Sequence, residues 1–192
     1  MNKKAIIFGL KGYRLSTDEK ILFRKFKPWG IILFSRNVKN ILQLKKLVTD
    51  IKNVLKDKRC PILIDQEGGK VCRLNKIINL SIFSPNHFGK LFDKKNKDFS
   101  GYYEIYINTV CEILKDIGIN INTVPVLDVR RKNTHNVIGT RSFSENFDKV
   151  SRLGNLCIKF YNKNKIANVI KHIPGHGLSR VDSHFKKTIT NA

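Results

Sequence analysis

The chain has 192 residues, 41% of them hydrophobic and 27% charged, a composition that supports one well-buried core. No apolar run reaches membrane-spanning length, and the apolar segment behind Lys3-Lys4 is about six residues, short of the roughly 7–15 that a secretory signal needs. The formal net charge of +22 comes from 37 basic against 15 acidic residues, mostly lysines spread through every segment. With no Arg-rich recognition helix, zinc-finger spacing or aromatic stripe, it points to no specific nucleic-acid partner and informs about nonspecific contacts only.

Taken in chain order, apolar runs alternate with amphipathic ones. Residues 5–10 form a compact apolar run closed by Gly9 and Gly12, suited to a buried first strand. Residues 17–27 place Ile21, Leu22, Phe23 and Phe26 among charges, a short helix capped by Ser16 or Thr17. Residues 30–35 are a second buried strand. Residues 40–56 carry Ile41, Leu44, Leu47, Val48, Ile51 and Leu55 at helical spacing, with Asn40 as N-cap. Residues 61–65 are a third strand, and 75–99 read as a long irregular loop over a binding face. Residues 100–118 predict a helix stopped by Gly118, 120–129 a fourth strand, 147–163 a further helix, and 166–170 a fifth, buried strand. Cys60, Cys72, Cys111 and Cys157 lie in or beside apolar stretches without CxxC pairing, which predicts free buried thiols in a reducing cytoplasm.

Continuous apolar strands alternating with helices predict a parallel sheet with covered faces, either doubly wound or a (β/α)8 barrel. The first strand is not followed by GxGxxG, so a dinucleotide fold loses support. Polar residues follow four of the strands: Ser35-Arg-Asn37, Asp65-Gln-Glu-Gly-Gly69, Asp128-Val-Arg130 and Lys171-His172. In a barrel these ends share one mouth, where chemistry is done.

Asp65-Gln-Glu-Gly-Gly-Lys-Val-Cys-Arg-Leu74, Ile138-Gly-Thr-Arg-Ser-Phe143, Lys171-His-Ile-Pro-Gly-His-Gly177 and Asp182-Ser-His184, with Gly30-Ile-Ile-Leu-Phe-Ser-Arg-Asn37 and Pro125-Val-Leu-Asp-Val129, resemble the family 3 glycoside hydrolases in order along nearly the whole chain. The likeness is to their bacterial β-N-acetylhexosaminidase branch, which releases N-acetylglucosamine from peptidoglycan fragments during cell-wall recycling. The resemblance implies a (β/α)8 TIM barrel, with residues 1–192 as the N-terminal part of that single domain, truncated after about five strands. It implies that Asp65, Arg73, Arg141, Lys171 and His172 hold a terminal N-acetylglucosamine, as in a muropeptide, and that His184 is the acid/base with Asp182 as its partner. No cofactor is implied. The family's nucleophilic aspartate lies past the Asp-Ser-His motif, and no carboxylate here matches it, so little hydrolysis is expected of this chain alone. Two departures from the pattern stand out: Ile173 replaces an aromatic residue, and Phe185-Lys-Lys-Thr188 lacks a proline.

The chemistry of these residues is consistent with such roles. A carboxylate can accept two vicinal sugar hydroxyls while Lys171, His172 and the arginines donate. An imidazole can protonate a departing oxygen, with an adjacent carboxylate stabilising the imidazolium. Plainer readings stand beside them: Asp65 as a helix cap or strand-end ion pair, the arginines as loop braces, Asp182 and His184 as a turn cap. Gly68-Gly69 suggest close approach of the backbone to a ligand. His176, Gly175 and Gly177 are expected to structure the loop. Pro174-Gly175 breaks any helical pairing of His172 with His176, so a zinc site is not expected. His87 and His135 read as surface residues. An amino-sugar-binding remnant without catalysis and a basic nucleic-acid binder remain the alternative functions.

Overall fold

The protein is described from a computed structural model, which covers residues 3–94 and 97–188. Five parallel strands lie in sequence order, β1 (Lys4–Gly9), β2 (Pro28–Leu33), β3 (Ile62–Ile64), β4 (Ile121–Asn122) and β5 (Ala167–Asn168). Between them run α1 (Thr17–Phe26), α2 (Ile41–Leu55), α3 (Pro85–Asp93), α4 (Phe99–Ile117) and α5 (Phe147–Lys163). Neighbouring strands that are also consecutive in sequence, each joined through helix, give the winding of a (β/α) barrel wall and not the reversed order of a doubly wound sheet.

The helices begin where their caps say. Ser16 accepts from the Glu19 N–H while the Glu19 carboxylate takes the Ser16 N–H, a reciprocal capping box. Asn40 caps α2, and Gly118 ends α4 in the left-handed conformation. The stretch 75–99 is not one loop: α3 starts at Ser84-Pro85, with the Ser84 hydroxyl accepting from His87 N–H and proline at the first turn. Phe88 of α3 packs its ring 4.6 Å from Tyr103 and 4.8 Å from Tyr106 of α4, which anchors a helix too short to show a long apolar period. Residues 95 and 96 of that stretch lie outside the described residues.

Strand register sorts the side chains into two faces. Ile31, Leu33, Ile62 and Ile64 join the core cluster with Leu44, Leu47, Ile107, Leu114, Leu153 and Phe160 of the helices. The alternate positions Ile32, Leu63 and Ile121, in register with one another, point to the opposite, helix-free face. In a closed barrel that face is the interior.

Three expectations about the strands need correction. β1 and β5 are not buried: Ile6 is 43% exposed, and Ala167 of β5 is exposed with Val169 just after it at 41%, because each strand has a sheet neighbour on one side only among the described residues. β4 is far shorter than residues 120–129, since Pro125 has no N–H for the ladder, and pairing resumes only at the Val126–Lys171 bridge. Among the described residues no helix is long and apolar enough to cross a membrane. All four cysteines are buried and free.

Candidate functional site

β3 runs from Ile64 directly into Asp65. Since Ile62 and Ile64 face the helices, Asp65 shares the helix-free face with Leu63, and Thr123 shares it with Ile121 one strand over. The hydroxyl of Thr123 donates to Asp65 Oδ1. Lys171 reaches the same point from beyond β5, held by its backbone N–H to Pro125 O and by Leu127 N–H to its own carbonyl. Its ammonium has three acceptors: Asp65 Oδ1 at 2.8 Å, Glu67 Oε1 at 2.6 Å and Thr123 Oγ1 at 3.1 Å. Residues 106 apart in sequence thus meet above the ends of three adjacent strands.

Arg73 approaches from the turn after β3, with Nη2 3.4 Å from Asp65 Oδ2 and its guanidinium over the Phe34 ring at 5.6 Å. Buried Gln66 fixes that turn, its Oε1 accepting the N–H groups of Arg73 and Leu74. Burial alone would raise the Asp65 carboxyl, but Lys171, Thr123 and Arg73 outweigh it and hold the group below the usual carboxylate range, so it is ionised at neutral pH.

Arg141, in the short 3-10 helix Gly139–Arg141, does not touch Asp65. Its Nε and Nη2 grip Glu67 at 2.8 and 2.9 Å, and its Nη1 donates to Val137 O. The guanidinium therefore braces a carboxylate, and reaches the cluster only through it. Glu67 was not singled out in the sequence; its position two residues after Asp65 was the available signal.

His172 forms a separate pair. Its Nδ1 lies 2.5 Å from Oδ2 of fully buried Asp128, whose Oδ1 accepts the His176 N–H. Gly177 packs flat on the chain after β4, where an added Cβ would stand 2.0 Å from Val129 O. The loop is thus tied down at residues 172, 176 and 177. Gly175 sits at φ +131°, a backbone conformation suited to glycine.

His184 and Asp182 stand at the loop's far end. Asp182 Oδ1 accepts both the His184 backbone N–H at 2.9 Å and pairs with ring Nδ1 at 2.7 Å. The backbone and ring contacts with His184 lower the Asp182 carboxyl. The His184 side chain is 78% exposed against 16% for Asp182. Among the described residues no hydrogen bond joins this pair directly to the Asp65 cluster; its link to the tied loop is Ser183 Oγ, 3.2 Å from His176 Nε2.

Other readings change. Gly68 and Gly69 are pressed against neighbouring chain: at φ +88° and +61°, an added Cβ would meet Phe83 O at 2.2 Å and Ser84 Cβ at 2.6 Å. Asn37, in the polar run after β2, is buried and spent on the carbonyls of Leu10 and Gly12. His87 is exposed, but His135 is half-buried, its ring accepting the Val137 N–H and its own N–H going to Ser179 O. No group of three or more His, Cys, Asp or Glu side chains is placed to hold a metal among the described residues.

The Glycosyl hydrolase family 3 N terminal domain matches residues 9–192. A beta-hexosaminidase of Neisseria meningitidis serogroup A is 34% identical over 181 residues, 94% of this chain and 49% of that protein. The crystal structure of native NagZ from Neisseria gonorrhoeae superposes with a TM-score of 0.85 at 30% identity, covering 97% of this chain and 54% of that one. A second NagZ structure from that organism, in complex with N-trifluoroacetyl-D-glucosamine, gives 0.81 at 31% identity over 92% and 52%. The chain spans about half the length of these relatives.

Proposed function

Because this chain belongs to the glycosyl hydrolase family 3 N-terminal domain family, we propose that it carries the amino-sugar recognition and proton-transfer parts of a retaining β-N-acetylhexosaminidase. The substrate class is a terminal β-linked N-acetylglucosamine, as in the muropeptides of cytoplasmic cell-wall recycling. A beta-hexosaminidase relative and a neighbour that holds an N-acylated glucosamine support that class. The observation that carries the reading is the Asp65–Lys171 contact of 2.8 Å on the helix-free face, with Arg73 beside it. An ionised carboxylate flanked by two cations presents acceptors and donors to adjacent hydroxyls, the pattern a pyranose needs.

In this reading Asp65 accepts from sugar hydroxyls while Lys171, Arg73 and His172 donate. Asp128 fixes the His172 ring so that Nε2 is left for the ligand. Arg141 acts through Glu67 or with its remaining N–H groups. His184 gives its proton to the leaving oxygen and later takes one from water, and Asp182 stabilises the imidazolium in between. The exposure of His184 suits a group that closes onto a bound sugar.

Retention requires a carboxylate on the opposite face of the ring. The half-buried Asp65 and the buried Glu67 and Asp128 are all committed: Asp65 to Lys171, Glu67 to Arg141 and Lys171, Asp128 to His172 and His176. The nucleophile is accordingly assigned to none of these three. The same commitment favours, as a second reading, an amino-sugar-binding protein without catalysis.

Calorimetric titration of the 192-residue protein with N-acetylglucosamine, beside an assay with a chromogenic N-acetyl-β-glucosaminide, tests both. Binding that Asp65→Ala abolishes, without turnover, is the expected result. Absence of binding overturns the sugar site, and turnover by the chain alone overturns the assignment of the nucleophile. Salt-dependent retention on heparin with no sugar response would return the basic-binder alternative.

A further inference from the structure

Glu67 has a side chain of zero exposure, and the sugar-binding assignment gives it no contact with the ligand. Its two oxygens are divided among two cations: Oε2 takes Arg141 Nε, and Oε1 takes both Arg141 Nη2 and Lys171 Nζ. Lys171 in turn has its three N–H groups engaged by Asp65, Glu67 and Thr123. A sugar hydroxyl that is to accept a hydrogen bond from Lys171 must therefore displace one of these acceptors. Thr123 is the longest of the three contacts at 3.1 Å, and Asp65 is half-open to solvent, whereas Glu67 is inaccessible.

We propose that Glu67 is the positioning residue of this site: it keeps Lys171 and Arg141 in place while the ligand takes over the contacts that Thr123 and Asp65 make to the ammonium. The proposal rests on the sugar-site reading for its consequence, and on the ion-pair geometry for its substance. Removing Glu67 takes a partner from two cations at once, and truncating either cation leaves the other pairing intact. A carboxylate that both fills a buried position and divides itself between an ammonium and a guanidinium cannot be replaced by an amide, which offers only one acceptor oxygen.

The test reads Lys171 directly, without sugar. Limited acetylation of the 192-residue protein with acetic anhydride, followed by peptide mass spectrometry, gives the rate at Lys171 relative to Lys149, which pairs with Asp93 away from the site. Glu67→Gln is expected to raise that ratio about tenfold, the scale of one lost charge-assisted hydrogen bond. Arg141→Met leaves Glu67 with Lys171 alone and is expected to lower the ratio, a change of opposite sign that general loosening would not produce. The Arg141 arm also stands if Glu67→Gln fails to fold. An unchanged ratio in Glu67→Gln, or a raised one in Arg141→Met, overturns the positioning role. N-acetylglucosamine titration then separates the two ideas: the role extends to ligand binding if Glu67→Gln weakens affinity about tenfold. Where the unsubstituted protein binds no sugar, the sugar-site reading fails and the acetylation ratio alone decides Glu67.

Discussion

Asp128 holds two histidines of the loop after β5 with its two oxygens, Oδ2 at 2.5 Å from His172 Nδ1 and Oδ1 accepting the His176 backbone N–H. Because the carboxylate is fully buried, both contacts are shielded from water, and losing either leaves a stranded polar group. Asp128→Asn keeps the volume but offers one acceptor oxygen in place of two. The expected outcome is a loss of about 2 kcal/mol in denaturant unfolding, with faster amide exchange across residues 172–184. Exchange in that stretch unchanged from the unsubstituted protein would show that Asp128 does not hold the loop.

Acid should act on the same groups. The Asp65 carboxyl would be raised by burial but is held below its ordinary 3.8 by Lys171, and Asp128 is held below it by His172 and His176 against the same burial. A depressed folded-state pKa contributes stability that is fully present above the unfolded value and is lost as pH falls through the folded one. Unfolding free energy should therefore hold from neutrality down to about pH 4 and fall below it. Asp65→Asn and Asp128→Asn should each flatten that acid limb, measured by urea unfolding across pH. A limb of the same steepness in both variants would place the acid-labile groups elsewhere.

Lys171 serves two carboxylates and Asp65 serves mainly one ammonium, so their removal should not be equivalent. Lys171→Met leaves Asp65 and Glu67 short of a partner in a half-buried place, and about 2 kcal/mol or more of destabilisation is expected. Asp65→Asn should cost less, because Glu67 and Thr123 still hold the lysine. Both should abolish N-acetylglucosamine binding under the proposed function. Equal unfolding midpoints for the two variants would argue against a shared hub at Lys171.

Much of this arrangement is legible in the residue string. Caps at Ser16 and Asn40, the stop at Gly118 and the run Phe147–Lys163 follow from local rules that tertiary contacts do not override. Asp65 and Lys171 stand at strand ends, so a wound parallel sheet brings them to one rim. Glu67 and Asp128 were less visible, because what marks them is the partner each finds across the fold: Arg141 is 74 residues from Glu67, and His172 is 44 from Asp128. α3 is hidden by its brevity, and so is the packing role of the glycines at 68 and 69, because the neighbour pressing on them, Phe83-Ser84, comes from that same unforeseen turn. The exposure of β1 and β5 was out of reach, since apolar side chains look alike whether or not another strand covers them.

Gly68 offers a sharp check on that packing. At φ +88°, with Phe83 O 2.2 Å from where a Cβ would go, Gly68→Ala combines backbone strain with a steric clash against main chain that cannot rotate away. A cost of about 2 kcal/mol or more in thermal or urea unfolding is expected. A substitution tolerated without loss would mean that the Phe83–Ser84 segment sits farther from the Asp65 turn than described.

The two outer strands carry the last prediction. Ile6 and Ile7 on β1, and Val169 and Ile170 just after β5, are each above 40% exposed, beside backbone groups with no strand partner on their outer side among the described residues. Such apolar edges recruit other chains, and lysine on an edge strand blunts that tendency. Ile6 has no part in the core cluster, so Ile6→Lys removes little packing. Light scattering of the 192-residue protein should show concentration-dependent association that Ile6→Lys, and more so Ile6→Lys with Val169→Lys, reduces, while the melting temperature changes by no more than about 2 °C. Association unaffected by the double substitution would locate the sticky surface elsewhere, and the exposed face of α1 around Ile21 would be the next to change.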